Sequence, residues 1–128
     1  MGSHCDITLY HNPNCSKSRE ALAFLRERGV QPTVVEYLKQ PPSRATLQAL
    51  ADKMGGGASG VRALLRSKAD AYAELNLADP KWSEAQLLDF MQQHPVLLER
   101  PLLDTPKGAR IGRPGPEVLL DLLPDLLP

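Results

Sequence analysis

Asp6-Ile7-Thr8-Leu9-Tyr10-His11-Asn12-Pro13-Asn14-Cys15-Ser16-Lys17-Ser18-Arg19 reads as a strand, a turn and a helix start in immediate succession. Residues 6–10 alternate in polarity, as a half-buried strand does. His11 to Asn14 is a turn cluster. From Ser16 to Arg28 the apolar residues Ala21, Leu22, Phe24 and Leu25 recur at helical spacing, and Gly29 is a natural stop. Thr33 to Tyr37 is rich in strand formers and predicts a second strand. Strand, helix and strand within about 30 residues make a βαβ unit, with a parallel pair and a right-handed crossover.

Working outward, Pro41-Pro42-Ser43 opens another helix, with Leu47, Leu50 and Met54 on one face and Gly55 at its end. Gly55 to Gly60 reads as a flexible connector. Val61 to Arg66 and Ala69 to Leu75 read as short helices. Ser83 with Gln86 forms a capping box for a helix running to about Gln93, ahead of Pro95. Pro101 to Asp104 predicts a strand, Thr105 to Gly108 a type I turn, and Ala109 to Ile111 the return strand. Glu117 to Leu123 reads as a closing helix. The order β-α-β, several helices, β-β-α is the thioredoxin arrangement. The expectation is therefore an α/β, thioredoxin-like fold. A small four-stranded mixed sheet is flanked by helices, with a helical insertion between the βαβ and ββα halves.

The chain has 128 residues, a length that suits one domain. Residues 1–4 read as a cloning-tag remnant and residues 5–128 as that domain. Fifteen basic residues balance fifteen acidic ones, which argues against a nucleic-acid partner. An apolar fraction of 42% and a charged fraction of 23% suit a globular protein. No apolar run approaches the ~20 residues that span a bilayer. Two cysteines are too few for a disulfide scaffold or a four-cysteine zinc site. A cytoplasmic, reducing location follows as the expectation, and with it a working thiol.

Cys15 stands between a strand end and a helix start. Free N–H groups and the helix dipole there favour an anion, and a thiolate is one. His11, Lys17 and Arg19 add positive potential nearby. The same N–H groups can hold an oxyanion. Cys15-Ser16-Lys17-Ser18 carries serine where a dithiol redox pair has its second cysteine. Cys5 lies at the far end of the strand, roughly 20 Å away at about 3.3 Å per residue, beyond disulfide reach. Oxidation of Cys15 in turnover then calls for an external thiol such as glutathione. His11, Cys15 and His94 do not make a metal site, so no metal is assigned. His94 reads as a helix-end residue.

Tyr10 to Arg19 closely resembles the active-site loop of the ArsC family of glutaredoxin-linked arsenate reductases. Val61 to Arg66, His94-Pro95 with Glu99-Arg100-Pro101, and Arg110-Ile111-Gly112-Arg113-Pro114 resemble that family's later motifs in the same order. The resemblance covers residues 6–123. It implies that Cys15 is the nucleophile and that His11 assists its ionisation. It implies that Arg66, Arg100 and Arg113 bind the anion, and that Ser18 hydrogen-bonds the thiolate. It implies arsenate as substrate, glutathione and glutaredoxin as external reductants and no bound cofactor; no membrane partner and a monomer are separate expectations. Arginine's planar fork of donors suits a tetrahedral dianion.

Arg62 and Arg110 read as solvated surface charges. Arg100 and Arg113 each precede a proline, which holds their backbones extended. Arg100-Pro101 sits where thioredoxin-like folds place a cis proline, so a cis bond is expected there. Two alternatives remain: a glutathione-dependent thiol oxidoreductase of another substrate, and an Spx-like regulator that binds RNA polymerase. Ser18 removes the paired-cysteine switch of the latter, and the three arginines favour an enzyme.

Overall fold

The computed structural model describes residues 4–123, with side chains from residue 6 onward except those of residues 57 and 58. The chain forms two compact units, one running to Tyr37 and resuming at Arg100, the other Leu38–Glu99.

The first unit holds β1 (His4–His11), α1 (Ser16–Glu27), β2 (Pro32–Glu36), β3 (Leu102–Thr105) and β4 (Gly108–Ile111). A 3₁₀ helix, Pro116–Leu122, follows β4. The sheet order is β2-β1-β3-β4, with β1 parallel to β2 and antiparallel to β3, and β3 antiparallel to β4. This is the expected mixed, four-stranded, thioredoxin-like sheet. The expected strands at 6–10, 33–37, 101–104 and 109–111 all form, each within a few residues of the anticipated limits.

Alternation along β1 sends Ile7 and Leu9 to one face of the sheet. There they join Ala21 and Leu25 of α1, Val30, Leu103 and Leu119 in one core. Leu25 and Leu9 are wholly buried, and a buried leucine contributes about 1.5–3 kcal/mol. Gly29 ends α1 at φ +79°. Its N–H donates to the Arg26 carbonyl at 3.0 Å, and the Val30 N–H to the Leu25 carbonyl at 2.9 Å. That is a Schellman closure, which glycine adopts without the Cβ penalty.

The closing segment differs from the α-helix its composition suggests. Val118 and Leu123 donate to carbonyls three residues back, Gly115 and Leu120. Pro116, Leu119 and Leu122, each three apart, are its buried residues. A three-residue turn is what puts them on one line. The Arg100-Pro101 peptide bond is cis as expected, and Arg113-Pro114 is cis as well.

The second unit is helical: α2 (Arg44–Lys53), α3 (Gly57–Leu64), α4 (Asp70–Glu74), α5 (Glu84–Gln93) and a 3₁₀ turn, Pro95–Leu97. Ser43 caps α2 by accepting from the Thr46 N–H, and Ser83 with Gln86 forms the expected capping box. The Gly55 to Gly60 stretch is not simply a connector, because α3 begins at Gly57. Gly60 faces α2 so closely that a Cβ there would collide with the Ala51 carbonyl oxygen. Leu65 and Leu98 form an isolated antiparallel bridge. No helix among the described residues is long and apolar enough to cross a membrane.

Candidate active site

β1 ends at His11, and the turn after it delivers Cys15 to the N-terminus of α1. The turn is held from within. The Cys15 N–H donates to the Asn12 carbonyl at 3.0 Å. The Asn14 N–H donates to Asn12 Oδ1 at 3.0 Å, an Asx turn. The Arg19 Nη1 donates to the Pro13 carbonyl at 2.9 Å from the first turn of α1. Cys15 is the N-cap, extended at φ −99°, ψ 123°, and its carbonyl accepts the first helical bond from Arg19 at 3.0 Å.

Cys15 is buried, 9% exposed, and is a free thiol. Burial pushes its pKa up. That push is outweighed by the N–H of Ser18, the charge of Arg100, the N–H of Lys17 and the charge of Arg113. The net result is a thiol held below its ordinary value. Arg113 Nη2 lies 3.7 Å from Cys15 Sγ. Its Nε donates to the Arg100 carbonyl at 2.7 Å. The guanidinium is thus fixed along one edge by backbone and turned toward the sulfur along the other.

His11 and Ser18 are both buried, at 6% and 0% exposure. His11 Nδ1 and Ser18 Oγ lie 2.6 Å apart, and the Asn12 N–H donates to the same Oγ at 3.0 Å. The Ser18 hydroxyl therefore faces the imidazole and the loop backbone, while its N–H, with the Cys15 side chain making no capping hydrogen bond, acts only to lower the Cys15 pKa. Burial pushes the His11 pKa down, and Arg26 and Arg19 add to this against Glu36. His11 is a neutral imidazole at neutral pH.

Five of the six residues singled out from the sequence, His11, Cys15, Ser18, Arg100 and Arg113, belong to the sheet unit. Arg66 belongs to the helical unit. Its N–H donates to the Leu97 carbonyl at 2.7 Å beside the Leu65–Leu98 bridge, and its Nε is buried with no hydrogen-bond partner among the described residues.

Arg62 and Arg110 are not the solvated charges expected of them. Arg62 donates to the Leu77 carbonyl at 2.9 Å and the Asp79 carbonyl at 3.0 Å. Arg110 donates to the Val118 carbonyl at 2.7 Å and approaches Asp121 at 3.5 Å. Short helices and turns leave carbonyls without internal partners, and these guanidinium groups satisfy them. His94 sits as expected at the end of α5. The N–H groups at the start of α1 are expected from the sequence; the group missed is the Arg100 carbonyl, to which nothing in residue identity points.

Among the described residues, this thioredoxin-like sheet carries a free cysteine, held below its ordinary pKa, beside an oriented arginine. Residues 10–120 match the model of the ArsC family, and the chain belongs to that family. It is 50% identical over 120 residues to an arsenate reductase of Escherichia coli, covering 94% of this chain and 82% of the relative. It is 49% identical over 113 residues to the uncharacterized protein YfgD of Escherichia coli strain K12, covering 88% of this chain and 93% of the relative. The solved arsenate reductase of Vibrio cholerae superposes with a TM-score of 0.84 at 44% identity, over 91% of this chain and 97% of that one.

Proposed function

We propose that this protein is an arsenate reductase that uses the Cys15 thiolate as nucleophile and takes its electrons from glutathione and glutaredoxin in the cytoplasm. The observation that carries the reading is the placement of Arg113 Nη2 at 3.7 Å from Cys15 Sγ, at the N-terminus of α1. An anion drawn to the helix N–H groups meets a guanidinium and a thiolate in one place. The family membership and the roughly 50% identity to curated arsenate reductases support the same substrate.

In the proposed cycle the thiolate attacks arsenic, forming the S–As bond while a protonated oxygen leaves as water. A glutathione thiolate then attacks the Cys15 sulfur. The S–As electron pair passes to arsenic, which is reduced from As(V) to As(III) and leaves as arsenite. The two sulfurs are left as a mixed disulfide. Glutaredoxin's thiolate takes the glutathione sulfur and restores the Cys15 thiolate. Arg100 and Arg113 balance the charge of the incoming anion, and the family pattern assigns Arg66 to the same anion.

The test is arsenate-dependent NADPH consumption with glutathione, glutaredoxin and glutathione reductase present. Turnover that requires arsenate and all three components supports the reading. Disulfide reduction without arsenate turnover replaces it with a thiol oxidoreductase of another substrate.

A further inference from the structure

We infer that Ser18 is a positioning residue that fixes His11 as the Nε2–H tautomer of the neutral imidazole. Ser18 Oγ is wholly buried and meets two partners among the described residues, His11 Nδ1 at 2.6 Å and the Asn12 N–H at 3.0 Å. The Asn12 N–H can only donate, so it occupies a lone pair of Oγ. The hydroxyl proton then has one acceptor within reach, His11 Nδ1. If Nδ1 carried a proton and donated instead, a buried hydroxyl proton would be left without a partner, which is costly. The balance of donors and acceptors closes in one way only: Asn12 N–H to Oγ, Oγ–H to Nδ1, and the imidazole proton on Nε2.

Protonating His11 would place a second proton on Nδ1 and displace the Ser18 hydroxyl proton. Ser18 thus opposes an imidazolium beside the loop. The charged groups acting on His11 from neighbouring elements divide: Arg19 and Arg26 of α1 oppose its protonation, and Glu36 of β2 favours it. The positive potential that sustains the Cys15 thiolate then comes from Arg100 and Arg113. Any proton or hydrogen bond His11 offers to the chemistry leaves through Nε2. This role rests on Cys15 being the reacting thiol of the proposed function; the tautomer itself does not.

The test begins with the wild-type protein, whose folding is not in question. Nitrogen-15 NMR of the labelled His11 side chain at neutral pH should show a pyridine-type Nδ1 and a pyrrole-type Nε2. A pyrrole-type Nδ1 overturns the inference. In Ser18→Ala the Nδ1 signal should move toward tautomer averaging, and the His11 titration midpoint should rise. In Ser18→Thr, which keeps the hydroxyl, the wild-type pattern should return. Equal His11 spectra in Ser18→Ala and wild type overturn it too. A roughly tenfold lower kcat/KM for Ser18→Ala, with Ser18→Thr nearer wild type, is the kinetic expectation. A wild-type protein inactive on arsenate sinks the proposed function but leaves the tautomer assignment to the NMR result.

Discussion

The Nε of Arg113 donates to the carbonyl oxygen of Arg100 at 2.7 Å, and this bond leaves Nη2 facing Cys15 Sγ at 3.7 Å. One arginine's backbone therefore aims the other arginine's side chain. Lysine in place of Arg113 keeps the charge but has no second nitrogen with which to hold both ends. Arg113→Lys should cost ~1.5–3 kcal/mol of transition-state stabilisation, a loss of roughly tenfold to a hundredfold in kcat/KM. Steady-state kinetics on arsenate, with melting temperature as a folding check, measures it. The same assay on Arg66→Lys tests the assignment of that residue to the anion.

Cys15 alkylation by iodoacetamide should show an inflection below the free-thiol value of about 8.5. An inflection at or above it contradicts the balance of N–H groups and arginines around the sulfur. Cys15→Ser should abolish arsenate turnover and Cys5→Ser should leave it nearly unchanged. Because the folded thiol is held low, the unfolded chain binds more protons between the folded and unfolded values. Stability rises with pH through that window and is lost as pH falls through the folded value. Chemical denaturation across the window should show this slope in the wild type and lack it in Cys15→Ser.

His11 titrates in the same sense from a different cause. Its folded pKa is depressed, so below about 6.5 the unfolded chain takes up a proton that the folded state resists. Its contribution to stability is complete above that value and falls away as pH drops below it. Denaturation midpoints between neutral and mildly acidic pH should fall more steeply in the wild type than in His11→Gln. Parallel curves would remove His11 from the acid sensitivity.

Gly60→Ala should destabilise, although alanine is the better helix former. The added Cβ meets the Ala51 carbonyl oxygen, which is backbone and has little freedom to retreat. A loss of ~1–3 kcal/mol is expected from overpacking at this approach of α3 to α2. Ser59→Ala, at an exposed position of the same helix, should be close to neutral. Thermal melts of the two variants compare them directly.

Arg62→Lys and Arg110→Lys should lower stability with little direct effect on the chemistry. Each guanidinium holds backbone carbonyls, those of Leu77 and Asp79 in one case and Val118 in the other. About 1 kcal/mol per lost bond is the expected cost. A catalytic loss in either variant exceeding that of Arg113→Lys would relocate the anion site.

What could be read from residues alone follows from where each signal resides. The spacing of Ala21, Leu22, Phe24 and Leu25 before Gly29 marks α1, because an amphipathic helix must keep one face apolar. Ser83 with Gln86 marks the start of α5, because the capping box is a side-chain device. Cys15 is legible from its place between alternation and helical periodicity. The start of α3 was not: glycines argue against a helix, and the close approach that requires Gly60 comes from another helix. The work of Arg62 and Arg110 was hidden for a related reason. Their acceptors are carbonyls of distant or irregular chain, and a carbonyl has no letter in the sequence. The Ser18 side chain illustrates the same limit, since its hydroxyl bonds His11 and Asn12 rather than the sulfur.

A helix usually closes its N-terminus with a hydroxyl or carboxylate that is always available. Here that position belongs to a sulfur, and the N–H groups of Lys17 and Ser18 favour its negative form. The first turn of α1 is therefore tied to the chemical state of Cys15. Alkylation or a mixed disulfide consumes the charge that those N–H groups favour. In both states the start of α1 loses its thiolate, and its amides should exchange with solvent more readily than in the free thiolate. Release of the sulfur restores the helix start, so the turn itself favours completion of the cycle over its arrest midway.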